Sequence, residues 1–290
     1  MDFIIIGAQK SGTTSLAHYL NESEDIFIPK EKEVPFFLDL KMQEKGFNWF
    51  FREYFNHSKK GQLIGVSTPQ YASHPEVFFE IYNNFPKSKL IFIVRDPIDR
   101  LVSHYNMAKR SGVESRDIND VIDDQFENLS LYRESNFYNK NIKKYIASGE
   151  YERVINKVLQ HFPRKQFLVL DFKRLIDEKY KQDTLNKVCN FLDISNFTIS
   201  NPNYIGMKGG GNIFNHHIIF KNIKKLVELT NTKSLIPGLL KKQYRLLNSF
   251  LDSQNVRGGG KTSKNNINKK NLTRLNKHFV SNYKDLCDKI

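Results

Sequence analysis

The chain has 290 residues, 39% of them apolar and 23 of them Phe, which suffices for one large α/β domain, or two small ones, with a real core. A formal charge of +14, from 45 basic and 31 acidic residues, favours anionic ligands, but no zinc-finger spacing or aromatic RNA-binding strand accompanies it, so nucleic acid is not expected as a partner. Two cysteines without paired spacing, Cys189 and Cys287, argue against a disulfide framework or zinc site and fit a reducing compartment; no apolar run reaches the length of a membrane span.

In chain order, "FIII" (3–6) reads as a short buried strand, being a β-branched run that ends at Gly7. Residues 13–20 read as a helix, with Leu16 and Leu20 four apart on one face. A strand over 62–67 stops at Thr68-Pro69, and a helix follows over 75–85. "KLIFIV" (89–94) is a third strand, and 96–110 a helix with Asp96 as N-cap and Pro97 in the first helical position. An amphipathic helix over 149–162 carries apolar residues at 151, 154, 155, 158, 159 and 162. "QFLVL" (166–170) is a further strand, followed by helical "DFKRLIDE" and "DTLNKVCNFLDI". Alternating strands and helices imply a single α/β domain over 1–290 with a mostly parallel sheet flanked by helices. The region 200–265 differs: two Gly-Gly-Gly runs, at 209–211 and 258–260, mark it as loop-rich with some helix.

Two stretches carry chemistry. The first is "GAQKSGTTSL" (7–16), set between strand and helix like the phosphate loop G-x-x-x-x-G-K-[ST]. Gly7 and Gly12 have the loop's spacing, but Thr13 stands where that lysine belongs, and Lys10 comes three residues early. Free amides at the helix start would face an anion, with Ser11, Thr13 and Thr14 adding hydroxyl donors. A tight turn that binds nothing is the alternative. The second stretch is "IVRDPIDRLVSHY" (93–105). Arg95 sits where a buried strand stops, at the sheet edge where ligands bind, and Ser103 lies about two helical turns further on. Arginine and hydroxyl together suit a second phosphate. An ion pair between Arg95 and a neighbouring aspartate fits the same spacing.

Together these stretches resemble the sulfotransferases that use 3′-phosphoadenosine 5′-phosphosulfate. "KEKEVPFF" (30–37), "GVSTPQY" (65–71) and "FPRKQFLVLDFKRL" (162–175) are similar to the branch containing the heparan-sulfate glucosaminyl enzymes. The likeness runs from residue 2 to about 195 and returns weakly from 257; the part from 196 to 290 is the loop-rich and helical C-terminal portion. The resemblance implies a P-loop-like fold and a donor with phosphate at two ends, so two anion sites and no metal requirement. It assigns the 5′ phosphosulfate to Lys10, Ser11, Gly12, Thr13 and Thr14, with Lys10 also stabilising the departing phosphate. It assigns the 3′ phosphate to Arg95 and Ser103, with Arg257 or Lys261 closing over it from "VRGGGKTSK" (256–264). It makes Glu33 the general base; without it, Glu31 and Glu33 read as surface charges. Pro35, Leu38 and Ser67 stand where the heparan-sulfate enzymes carry His, Asp and Lys, so the acceptor implied is another carbohydrate, a glycolipid or a small natural product. Composition suggests a microbial cytoplasmic enzyme; a trimmed Golgi-lumenal domain is the alternative. A kinase using ATP and a non-catalytic polyanion binder are the rival functions, and the oligomeric state is open.

Overall fold

The computed structural model describes residues 1–134, 143–200 and 262–288. Among the described residues five strands form one sheet: β1 (Phe3–Gly7), β2 (Ile26–Phe27), β3 (Leu63–Ser67), β4 (Lys89–Val94) and β5 (Phe167–Asp171). Their order is β2-β3-β1-β4-β5, and every pairing is parallel. The composition of the strands demands this arrangement. Every residue of β1 is buried, as are Leu90 to Val94 of β4, so both faces of the sheet need cover.

Among the described residues the helices are α1 (Thr13–Leu20), α2 (Leu40–Gln43), α3 (Gly46–Phe55), α4 (Val77–Asn84), α5 (Pro97–Arg110), α6 (Ile118–Glu127), α7 (Leu129–Glu134), α8 (Tyr151–Leu159), α9 (Phe172–Ile176), α10 (Glu178–Leu192) and α11 (Lys269–Asp288). One sheet face packs against α1 and α10 through Leu16, Leu20, Leu185 and Val188. The other packs against α3, α4 and α8 through Phe50, Phe78, Ile81, Val154 and Val158. A third cluster joins α5 and α6 to α11 through Leu101, Tyr105, Val121, Leu275 and Phe279. Leu16 and Leu20 share the buried face of α1, and Asp96 caps α5 by accepting from the amides of Ile98 and Asp99, as the sequence implies. The helices α3 and α6 were not legible in that reading, and β2 is two residues long. Arg257 and Lys261 lie outside the described residues.

The strand order fixes where a ligand can sit. The chain leaves β1 toward β2 and β3 on one side, and leaves β4 toward β5 on the other. Such a switch point opens a crevice at the carboxyl ends of the two central strands. The loops after β1 and β4 therefore face each other.

Packing beneath that crevice is tight. Gly65 of β3 is in register with Phe3, and a Cβ built at Gly65 would lie 2.3 Å from the Phe3 ring. Phe3 is fully buried and has no room to retreat. Gly65→Ala is expected to destabilise the fold by about 1–3 kcal/mol, the usual range for an overpacked core. Adding Phe3→Leu should recover part of the loss, read as the midpoint of a chemical denaturation curve.

Candidate active site

The loop after β1 is shaped by two left-handed residues. Lys10 has φ 73°, and Gly12, the residue before α1, has φ 85°. At Gly12 a side chain would be strained and would also press on Phe172 and Leu175, 3.2–3.3 Å from the added carbon. Among the described residues, the amides of Gly12, Thr13, Thr14 and Ser15 donate to no protein acceptor, while Leu16 is the first to bond back, to the Gly12 carbonyl. Four free amides at the positive end of α1 make an anion cradle.

The hydroxyls behave differently from expectation. Thr14 is half-buried at the loop surface. Thr13 is 5% exposed, and its carbonyl accepts from Ser67 Oγ at 3.4 Å. Ser11, expected as a donor to the anion, is fully buried; its Oγ lies beside the Tyr151 phenol without hydrogen-bond geometry to any group. The loop turns Ser11 inward because the amide of Ser11 bonds the Ala8 carbonyl at 3.1 Å.

Arg95 closes the crevice from β4. Its Nη1 donates to the Lys10 carbonyl at 2.8 Å, and its guanidinium lies 4.6 Å from the centre of the Phe172 ring. It forms no ion pair with Asp96 or Asp99 within 4 Å, which removes the loop-to-helix salt bridge as its role; Asp96 serves instead as the cap of α5. Asp96, Asp99, Ser103, Asn106 and Arg110 follow one another at spacings of three and four, so they form one stripe along α5. Ser103 is half-buried on it. The chain re-enters on this stripe just after the Gly-rich run. Asn106 exchanges two hydrogen bonds with the backbone of Thr262, at 2.7 and 3.1 Å, and Lys264 Nζ approaches Asp96 to 3.7 Å.

Glu33 faces the loop from the other side. Its segment is fastened to the end of β3: the Val34 amide donates to Thr68 Oγ1 at 3.1 Å, and Tyr71 donates to the Val34 carbonyl at 3.0 Å. The carboxylate accepts from Lys32 Nζ at 2.7 Å and Gln70 Nε2 at 2.9 Å, and its side chain is 39% exposed. Glu31 is exposed and belongs electrostatically to the surroundings of Tyr54 rather than to the loop.

Lys10 is the charge centre of the crevice. Burial first, then the positive charges of Arg110, Arg95 and Arg100, pull its pKa below the ordinary lysine value, and Glu33 opposes them. Arg95 and Glu33, far apart in sequence from Lys10, thus both act on its charge, and Arg95 also bonds its carbonyl. The sequence reading missed Tyr151, whose phenol donates to the Arg95 carbonyl at 2.8 Å; its place in the apolar stripe of α8 marked it only as core. It also missed Arg110 and Gln70, for which the sequence offered no signal. His104 is buried beside Arg100 and Tyr145 and is not part of the crevice surface. A cavity of about 480 Å³ opens along β5, lined by Val94, Asp171, Arg174, Asp183 and Lys187 among others; it begins one residue before Arg95 and includes nothing from the loop after β1.

Comparison with known proteins gives the family. The sulfotransferase-domain family model matches residues 1–286, and the chain belongs to the sulfotransferase family. Among named relatives, heparan sulfate glucosamine 3-O-sulfotransferase 5 of Homo sapiens is 30% identical over 192 residues, covering 66% of this chain and 53% of that protein. Membrane-associated sulfotransferase kil1 of Dictyostelium discoideum is 32% identical over 109 residues, 37% of this chain and 23% of that protein. The chain therefore spans about half, or less, of the length of these relatives. The crystal structure of a sulfotransferase from Alicyclobacillus acidocaldarius superposes with a TM-score of 0.58 at 23% identity, covering 76% of this chain and 90% of that one, and shares the fold. No described helix is long and apolar enough to cross a membrane.

Two histidines beside the crevice set an acid limit on the fold. Burial first, then Lys144, pushes the His74 pKa down to about 4, and burial first, then Arg100, holds His104 well below its usual range. Both are neutral in the folded state, so as pH falls below an ordinary 6.5 the unfolded chain takes up protons that the folded one refuses. Stability should be level with respect to these groups above pH 6.5 and fall progressively between 6.5 and 4. For His74 the loss should approach about 2–3 kcal/mol. Thermal melts across that window check it: His74→Gln should shrink the acid loss, with little change at pH 8.

Proposed function

We propose that this chain moves the sulfuryl group of 3′-phosphoadenosine 5′-phosphosulfate to a hydroxyl or amine of an acceptor. One observation carries the reading: the Arg95 guanidinium donates to the carbonyl of Lys10, in the loop whose amides at residues 12–15 have no acceptor among the described residues, and Glu33 is the carboxylate whose charge acts on Lys10. The amides of residues 12–15 and the dipole of α1 suit the phosphate from which sulfur departs. Lys10 supplies the positive charge that matters most as that phosphate gains negative charge, because only transition-state contacts raise turnover. Arg95 has donors left beyond the one given to Lys10, and with Ser103 it would take the 3′ phosphate. Glu33 would accept the proton from the acceptor while the acceptor–sulfur bond forms and the bond from sulfur to the bridging phosphate oxygen breaks. The carboxylate has lone pairs to spare beside its bonds to Lys32 and Gln70.

The acceptor is proposed to be a carbohydrate, glycolipid or small natural product other than heparan sulfate. Pro35 and Leu38 put no charge at the two positions where the heparan-sulfate enzymes carry His and Asp, and Ser67 is buried with its hydroxyl on the loop rather than on the cleft.

A thermal-shift comparison tests the donor. Adenosine 3′,5′-bisphosphate should raise the melting temperature by several degrees at one hundred times its Kd, an effect of about 2.7 kcal/mol, and ADP with Mg²⁺ should not. Stabilisation by ADP with Mg²⁺ alone would instead indicate a kinase. The base is tested once an acceptor is found by screening sugars, alcohols and amines. Glu33→Gln should keep donor affinity and lose about 10²–10⁴-fold in turnover, while Glu31→Gln should lose little. A dead Glu31→Gln with an active Glu33→Gln would move the base.

A further inference from the structure

We infer that Tyr151 is a positioning residue of the donor site: its buried phenol sets the Arg95 peptide so that the Arg95 guanidinium braces the Lys10 loop and holds its remaining donors ready for the 3′ phosphate. The inference rests on the donor reading above.

The geometry begins where the sheet stops. The last pair between β4 and β5 is Val94 with Asp171, so Arg95 lies one residue beyond the ladder. A buried backbone carbonyl needs a partner from elsewhere. Tyr151, the first residue of α8, provides it: its hydroxyl donates to the Arg95 carbonyl at 2.8 Å, and the Arg95 amide reaches the same oxygen at 3.4 Å. Both polar groups of one residue thus turn toward one phenol. The ring that carries it is fully buried and packs edge-on against Phe92, with centroids 5.6 Å apart. Burial raises the pKa of the phenol, so it remains a donor at neutral pH. On the far side of Arg95, Asp96 is fixed as the cap of α5.

With its backbone held on both sides, the Arg95 side chain starts from a fixed point. It passes over Phe172 and donates to the Lys10 carbonyl at 2.8 Å. Lys10 is in the left-handed region, where a residue with a Cβ needs outside support. Tyr151 therefore acts on both ends of the donor through Arg95, while touching neither. A Tyr that merely filled the core would have no such reach.

The test is calorimetric titration with adenosine 3′,5′-bisphosphate and with adenosine 5′-monophosphate, which requires no acceptor. Tyr151→Phe keeps the ring and removes the donor. It should weaken the bisphosphate about tenfold or more, the equivalent of one impaired charge-assisted hydrogen bond, and the monophosphate less. In an Arg95→Ala background the same change should add little further loss. Tyr105→Phe is the control, because that buried phenol also donates to a backbone carbonyl at 2.8 Å, that of Arg116, away from the loop. It should lower the melting temperature and leave nucleotide affinity alone. If Tyr151→Phe yields too little folded protein, 4-methylphenylalanine at position 151 fills the lost volume without donating and takes its place. Unchanged bisphosphate affinity overturns the inference, as does an undiminished penalty in the Arg95→Ala background or an equal loss in Tyr105→Phe. Failure of the unaltered protein to bind the bisphosphate would instead refute the donor reading itself.

Discussion

The contact between the Arg95 guanidinium and the Lys10 carbonyl joins the two central strands of the sheet above its carboxyl edge. Left to itself, the loop after β1 would be poorly determined. It carries a lysine in a left-handed conformation that L-residues avoid by roughly 1–2 kcal/mol, followed closely by a left-handed glycine. Four amides with no acceptor among the described residues point out of the same turn. An arginine from the adjacent strand supplies an outside constraint, and a stacked Phe172 limits its swing. The parallel order of the strands brings those two residues together; in an antiparallel arrangement their ends would lie at opposite edges.

Electrostatics point the same way. Lys10, Arg95, Arg100 and Arg110 act on one another as like charges, with Glu33 as the counter-charge that acts on Lys10. Burial is the largest cause of the depressed pKa of Lys10 and the neighbouring arginines add to it, while Asp99 and Asp96 act in favour of the charge on Arg95. The surplus is local, unlike the dispersed lysines that give the chain its +14.

Much of this was legible in the sequence, for identifiable reasons. β4 was read to its residue bounds because an unbroken apolar run between Lys89 and Arg95 has few other uses, and α5 was found through Asp96 and Pro97. The stretch Gly7 to Thr14 resembles a phosphate loop in its glycine spacing and its place between strand and helix, with the lysine three residues early, and in the structure the amides of residues 12–15 have no acceptor among the described residues. What failed was direction. Spacing puts Ser11 in the loop but does not show that its hydroxyl is buried beside Tyr151. Glu33 is harder still: its place depends on Thr68, Gln70 and Tyr71, more than thirty residues away, and local pattern carries no trace of such pairings. The helices α3 and α6 were missed, since aromatic runs and mixed charges obscure their period.

The apolar underside of α5 is completed from far along the chain. Ile267, Leu275 and Phe279 cover Leu101 and Tyr105, and Thr262 pairs with Asn106 across 156 positions. Closing so long a loop is entropically expensive and comes late. On a ribosome, the five strands and the loop after β1 have all emerged well before these residues are made. The helix bearing Ser103 must then wait, with one flank bare, until residues 262–279 are made. The order in which the chain is made thus separates the completion of this flank from that of the sheet.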